Sequence, residues 1–269
     1  MWGAIIGDLA GSIYEFDQIK EVKSIKTNEI IPDKGFFSDD TILTIAIAEA
    51  IQTDHDYESH LRKYGNLYKD YKPDYKPYFK TSFSPSFIKW CNSNEIGTSI
   101  GNGAMMRISP IGFLFNNEKD VKENARLATI PSHNSKEAIV YSTLTALIIF
   151  YARNNIPKDE ILKKLNIKLK YKPFGKFNST CSQTFDNCIY AVFNSNSFEE
   201  SIYKVLSYGG DTDTNACIVG SMAEAIYGVD SKLIEKAKKY IPKDFIKILD
   251  REYKNTEEYN KESQFDFLK

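Results

Sequence analysis

Histidine and cysteine are both scarce in this chain, and neither is arranged as a soft-metal site. There are only three histidines and four cysteines in 269 residues. Cys91, Cys181, Cys188 and Cys217 show no CxxC spacing, which removes zinc ribbons and dithiol redox centres. Cys181 and Cys188 fall on one face of a helical stretch, so the thiols read as structural. His55 and His60 lie on a polar helical stretch and read as solvent-exposed, which leaves His133. Charge of one sign is missing as well. Lys plus Arg total 35 against 36 for Asp plus Glu, so no net field recruits nucleic acid or an anionic membrane. A small-molecule or protein-borne substrate is the better expectation. No apolar run reaches membrane-spanning length, and no basic region precedes the apolar N-terminal stretch. A soluble, cytoplasmic protein without a membrane partner is expected. Strand-like alternation of useful length is absent too, which leaves helices to build the core.

Helical periodicity runs over 1–16, 41–53, 57–70, 103–115, 118–129, 134–153, 158–165, 181–194, 197–206, 214–227, 231–239 and 243–249. The expectation is therefore an all-α, single compact multi-helix domain over residues 1–250, followed by a charged C-terminal tail at 251–269. In the first helix, Gly3, Gly7 and Gly11 recur at i, i+4 and i+8, a smooth stripe against which another helix can approach closely. Residues 71–92 are proline-broken and aromatic, and read either as an aromatic-packed surface loop or as a wall beside a pocket.

Two acidic clusters stand at the start of apolar helical runs: Ser38-Asp39-Asp40-Thr41 and, after Gly209-Gly210, Asp211-Thr212-Asp213-Thr214. An acid at each place serves as an N-cap, favoured by unpaired amides and the positive dipole end. One cap needs one acid, however, and these are four carboxylates with the hydroxyls of Ser38, Thr41 and Thr214. Hard oxygen donors without nearby Cys or His suit Mg²⁺, Mn²⁺ or Ca²⁺. An EF-hand is ruled out, because Ala216 stands where its glycine must be and Met222 where its bidentate glutamate must be. An aspartyl-nucleophile phosphatase is ruled out by the turn Ser207-Tyr208-Gly209-Gly210, where a strand should lead in. Asp8, inside the glycine-striped helix, reads as a buried structural carboxylate or one that supports the metal ligands. Ser99-Ile100-Gly101-Asn102-Gly103-Ala104-Met105-Met106-Arg107 is a glycine-bearing turn entering a helix, an arrangement that offers amides to phosphate but is more often only a turn. Met105 and Met106 read as core, and Arg107 as a structural ion-pair donor.

Taken in order, Gly3-Ala4-Ile5-Ile6-Gly7-Asp8-Leu9-Ala10-Gly11-Ser12 with Glu15, Ser38-Asp39-Asp40-Thr41, Gly101-Asn102-Gly103-Ala104-Met105-Met106-Arg107, Ser132-His133 and Gly209-Gly210-Asp211-Thr212-Asp213-Thr214 resemble the ADP-ribosylglycohydrolases. The resemblance implies an all-α fold, a binuclear Mg²⁺ or Mn²⁺ centre, and hydrolysis of the bond joining ADP-ribose to an acceptor. It also implies that Ser38, Asp39, Asp40, Asp211, Asp213 and Thr214 hold the metals, with Thr41 the less certain hydroxyl. Glu15 becomes the general base or a metal-linked gate. Ser99, Ile100, Gly101, Asn102 and Gly103 would cradle the diphosphate, with His133 beside them or ordering the loop. The partners implied are ADP-ribose and an ADP-ribosylated acceptor, nucleic acid not excluded. In arginine-directed relatives an acid can stand three places before the loop asparagine; Ser99 occupies that place, which favours oxygen-linked acceptors over arginine. A non-catalytic ADP-ribose reader, a two-metal nucleotide pyrophosphatase and a purely structural interaction protein are the competing readings.

Overall fold

The computed structural model describes residues 1–73 and 81–251, and among these residues it is all helix, with no strand. The charged tail beyond 251 lies outside the described residues. In chain order the helices are α1 (Trp2–Gly11), α2 (Glu15–Gln18), α3 (Asp39–Gln52), α4 (Tyr57–Tyr68), α5 (Pro85–Cys91), α6 (Gly103–Met106), α7 (Ser109–Leu114), α8 (Glu118–His133), α9 (Lys136–Arg153), α10 (Lys158–Lys164), α11 (Cys181–Phe193), α12 (Phe198–Leu206), α13 (Thr212–Tyr227) and α14 (Ser231–Ala237). A further helical stretch begins at residue 243. None of the described helices is long and apolar enough to cross a membrane.

The glycine stripe sets the centre of the molecule. α1 packs along α13 more extensively than any other helix pair, and every residue of α1 is buried. A Cβ placed on Gly3, Gly7 or Gly11 would lie 2.2, 1.9 or 2.2 Å from the carbonyl oxygens of Gly220, Ala216 and Thr212. A Cβ on Gly220 would in turn meet the carbonyl oxygen of Gly3 at 2.0 Å. The two helices therefore touch backbone to backbone, a contact only glycine permits. Thr212 donates its hydroxyl to the Gly11 carbonyl at 2.9 Å and closes the same seam at its end. The N-terminal turns of α3 and α13, which carry the acids, are held against α1 by this arrangement.

Several boundaries differ from the expectation. The first helix stops at Gly11 rather than 16, because the Ser12 hydroxyl turns back to the Leu9 carbonyl and accepts the Phe36 amide, both at 3.1 Å. Glu15 thus opens α2. The 103–115 run divides into α6 and α7 at Arg107 and Ile108, with Pro110 in the first turn of α7, where its missing N–H costs nothing. α8 runs on through Pro131, so that His133 ends this helix instead of preceding α9. Within 71–92 the Ser84–Pro85 pair starts α5: Ser84 accepts the Phe87 amide at 3.2 Å, and proline stands at the first helical position. His60 is buried, not exposed, bonded through Nδ1 to Glu49 at 3.0 Å. His55 is exposed, and the four cysteines are free and buried.

Candidate functional site

The capping explanation for the acids fails in both places. At α3 the cap is Ser38, whose hydroxyl oxygen accepts the Asp40 amide at 3.2 Å. At α13 Asp211 occupies the cap position without making a cap bond, and its carboxylate instead accepts Asn102 Nδ2 at 2.8 Å. The carboxylates converge instead. Oxygens of Asp8, Asp40 and Asp213 lie within 4.8 Å of one another, and so do oxygens of Glu15, Asp211 and Asp213. Asp213 belongs to both groups.

Neutral donors aim these carboxylates. Asp8 Oδ2 accepts the Ser38 amide at 2.8 Å, the Thr41 amide at 3.1 Å and the Thr41 hydroxyl at 2.6 Å. Asp40 Oδ2 accepts the hydroxyls of Ser38 at 3.0 Å and Thr214 at 3.2 Å. Asp213 Oδ1 accepts the Thr214 amide at 2.8 Å. Asp8 Oδ1 and Asp40 Oδ1 are buried with no hydrogen-bond partner among the described residues. No ion pair among the described residues reaches these acids. Burial raises all their pKa values, and mutual repulsion adds to it. Glu15 is pushed up to about 8 by burial and then by Asp211, and Asp8 to about 6 by burial. Asp39 and Asp40 rise well above the usual range through burial and then Asp8, Asp213 through burial and then Glu15, and Asp211 through burial. A buried, hard, all-oxygen donor set with orphaned oxygens and no cationic side chain suits divalent cations.

Beside the acids opens a cavity of about 750 Å³. Its wall carries Glu15, Asp39, Asp211, Asp213 and Thr214; then Ser99, Gly101, Asn102, Gly103 and His133; then the aromatics Phe83, Phe87 and Trp90. Asp8, Ser38 and Asp40 sit behind that wall. The chain matches the family described as ADP-ribosylglycohydrolase over residues 1–262. The chain belongs to that family.

Among individual ADP-ribosylglycohydrolase relatives, the mouse protein ADP-ribosylhydrolase ARH3 is 20% identical, with 85% of this chain and 82% of that protein covered. Its human counterpart is 22% identical, covering 85% and 84%. ADP-ribosylarginine hydrolase Tri1 of Pseudomonas putida is 25% identical over 53% of this chain and 42% of its own length. A solved structure titled ADP-ribosylglycohydrolase-related protein complex superimposes with a TM-score of 0.67 at 19% identity, covering 88% of this chain and 92% of that one, which shows the same fold.

Within this family member, Glu15, Asp39, Asp40, Ser38, Asp211, Asp213 and Thr214 are brought together. Asp8 joins them more intimately than a supporting role requires. A lone Asp in the apolar run Trp2–Gly11 was the available signal, since burial without a partner is costly. Thr41 holds Asp8 and does not reach the cavity wall. The glycine loop is less open to phosphate than a free turn. The Gly101 amide is taken by Ser99 Oγ at 3.0 Å and the Asn102 amide by the Ser179 carbonyl at 2.7 Å, while the Gly103 amide has no such bond among the described residues. Ile100 points away, 47% exposed, and is absent from the cavity wall. Among the described residues Arg107 makes no ion pair; its Nη2 bonds the Ala128 carbonyl at 3.1 Å and Ser132 Oγ at 2.8 Å. For 71–92, the wall reading holds for the described part, where Thr81–Phe87 and Trp90 line the cavity; residues 74–80 lie outside the described residues.

A pH dependence follows. An acid whose folded pKa exceeds its unfolded value contributes stability that is complete below the unfolded value and lost as pH rises through the folded one. For Glu15 that window runs from 4.5 to about 8. Chelator-treated protein should therefore melt at steadily lower temperature between about pH 5 and about pH 8, and saturating Mg²⁺ or Mn²⁺ should abolish the slope. A melting temperature indifferent to pH in chelator would mean that the carboxylates are not packed together as described.

Proposed function

We propose that the protein hydrolyses the glycosidic bond between ADP-ribose and an oxygen of its acceptor, with two divalent cations, Mg²⁺ or Mn²⁺, at the acid cluster. The observation that carries this is Asp213, one carboxylate shared by two acid groups at the wall of a cavity large enough for a dinucleotide-sized ligand. Ser38, Asp39, Asp40, Asp211, Asp213 and Thr214 would hold the cations, with Asp8 facing them from behind. When bound, the cations would neutralise the acids and supply Lewis-acid polarisation for substrate hydroxyls and water.

The chain's own residues divide the rest of the work. Asn102 fixes Asp211, and the Gly103 amide and His133 face the diphosphate. The aromatic wall of Phe83, Phe87 and Trp90 excludes water from the cavity. Glu15 would take the proton of the attacking water at its carboxylate, a role that needs the ionised form; a cation held beside it would oppose the burial that raises its pKa. Cleavage at an anomeric carbon passes through an oxocarbenium-like state, so an oriented water and a stabilised leaving group are what the site must supply. Glu15→Gln keeps size and removes proton-accepting capacity. It should lower kcat by roughly 10²–10⁴-fold while ADP-ribose affinity, read by calorimetry, changes little. Loss of binding together with turnover would assign Glu15 a structural role.

Oxygen-linked acceptors are favoured by what the cavity wall lacks. A guanidinium leaving group needs an acid to pair with, and the acids on the wall are those of the metal cluster: Glu15, Asp39, Asp211 and Asp213. Ser99, uncharged, accepts the Gly101 amide at its hydroxyl oxygen; Asp74 lies outside the described residues. A panel of substrates linked through serine, ester and arginine, with and without chelator, tests the whole reading. Free ADP-ribose should be released from the oxygen-linked substrates, and only with metal. Faster release from ADP-ribosyl-arginine would refute the linkage, AMP as product would point to a pyrophosphatase, and binding without any release would make the protein an ADP-ribose reader.

A further inference from the structure

His133 stands at the cavity wall with its ring held from behind. It is 6% exposed, and its Nδ1 lies 2.7 Å from Ser132 Oγ. Ser132 Oγ is also 2.8 Å from Arg107 Nη2. A guanidinium only donates, so in that bond the serine oxygen is the acceptor, and its own hydrogen is left for its other neighbour. That neighbour is Nδ1: were it protonated, the buried serine hydrogen would be left without a partner among the described residues, so the bare, accepting Nδ1 is the favoured state. Burial, and after it the positive charge of Arg107, holds the imidazole pKa well below the usual histidine value, so the ring is neutral. Its single proton therefore sits on Nε2. Nε2 has no partner among the described residues and faces the glycine turn: a Cβ on Gly103 would lie 3.5 Å from it, and one on Gly101 3.7 Å.

Arg107 adds a second feature. It is fully buried, its Nε and Nη1 have no hydrogen-bond partner, and no ion pair among the described residues involves it. A carboxylate beside it would cancel its charge. Uncompensated, that charge is directed through Ser132 and the imidazole toward the cavity, which it also lines. A neutral ring backed by a cation is a strong donor toward an anion and, unlike an imidazolium, stays in one protonation state across neutral pH.

We infer that Arg107 and Ser132 are positioning residues that lock His133 in its Nε2–H tautomer, presenting one fixed N–H beside the Gly103 amide to an anionic phosphate oxygen. This rests on the proposed ADP-ribose reading for its ligand, but not for the lock itself. ¹⁵N–¹H correlation spectra of the free full-length protein read the tautomer directly: a pyridine-like Nδ1 and a protonated Nε2 are expected. Ser132→Ala should mix the tautomers and weaken ADP-ribose binding about tenfold, while Ser132→Thr, which keeps the hydroxyl, restores both. His133→Gln, whose amide N–H reaches the Nε2 position, should bind ADP-ribose more tightly than His133→Asn, whose N–H falls at Nδ1. A protonated Nδ1 in the wild-type protein overturns the inference, as does wild-type affinity in Ser132→Ala. The expected tautomer in a wild-type protein that fails to bind ADP-ribose supports the lock and refutes the ligand reading instead.

Discussion

Asp213→Asn should abolish measurable turnover while leaving the helical content and the fold intact. The substitution keeps the shape of the side chain and the Thr214 amide bond to its Oδ1, so folding is not the casualty. What it removes is the one negative charge that both acid groups share. Losing a residue that merely orients a metal ligand costs about 10–100-fold in affinity or activity, and a carboxylate common to both proposed cation positions should cost well beyond that range. Asp39→Asn, at the cavity wall beside the cluster, should also fall by orders of magnitude. Calorimetric titration with Mg²⁺ or Mn²⁺ beside an ADP-ribose release assay checks both parts. An Asp213→Asn protein with near wild-type rates at saturating substrate would sink the two-cation assignment. In the absence of cation the same variant should be more stable than wild type, because it removes one like charge from a buried, repelling cluster.

Gly7→Ala should be at least as damaging, for a reason unconnected with chemistry. The added methyl would sit 1.9 Å from the Ala216 carbonyl oxygen and 2.7 Å from the Cys217 amide, both backbone atoms with no rotamer to move. The two helices must part. Overpacking a tight core costs about 1–3 kcal/mol and sometimes more, and here a whole helix seam yields at once, so a loss of at least about 3 kcal/mol is expected. Against a typical stability of about 5–15 kcal/mol, that is enough to show as poor soluble yield and a large drop in melting temperature. Gly175→Ala is the control. Nothing lies within 4 Å of a Cβ built there, and its melting temperature should stay near wild type. Equal melting of Gly7→Ala and wild type would mean that the α1–α13 contact is not as close as described.

The glycine stripe was legible in the sequence because its logic is local: glycines one turn apart in an apolar helix have no other use. So were the helices, the paired acidic clusters and the serine hydroxyl at the start of α3. What escaped was set by long-range neighbours. His60 looked like a polar-face residue until α3 supplied Glu49 across the helix pair. Arg107 looked like an ion-pair donor because sequence shows the guanidinium but not that a carbonyl and a serine are its partners. The helical run from 118 was expected to end at 129, yet α8 absorbs Pro131, which removes one amide and strains the preceding turn, and delivers His133 to the cavity. Asp8 was seen as buried, but that it meets Asp40 and Asp213 depends on how α1 is laid against α3 and α13, which no local pattern encodes.

Because α1 and α13 are spaced by peptide groups instead of side chains, the jaws that carry Asp8 and Asp213 have no compliant lining. A helix pair separated by leucines can widen by an ångström through rotamer changes; this pair widens only by breaking its seam. Octahedral Mg²⁺ asks for oxygens at about 2.0–2.1 Å and Ca²⁺ for more of them at about 2.3–2.6 Å, so at the proposed cation site a frame that cannot spread would act as a gauge for ion size. Discrimination against the larger ion would then be a property of three glycines that touch no ion themselves, on the helix that carries Asp8.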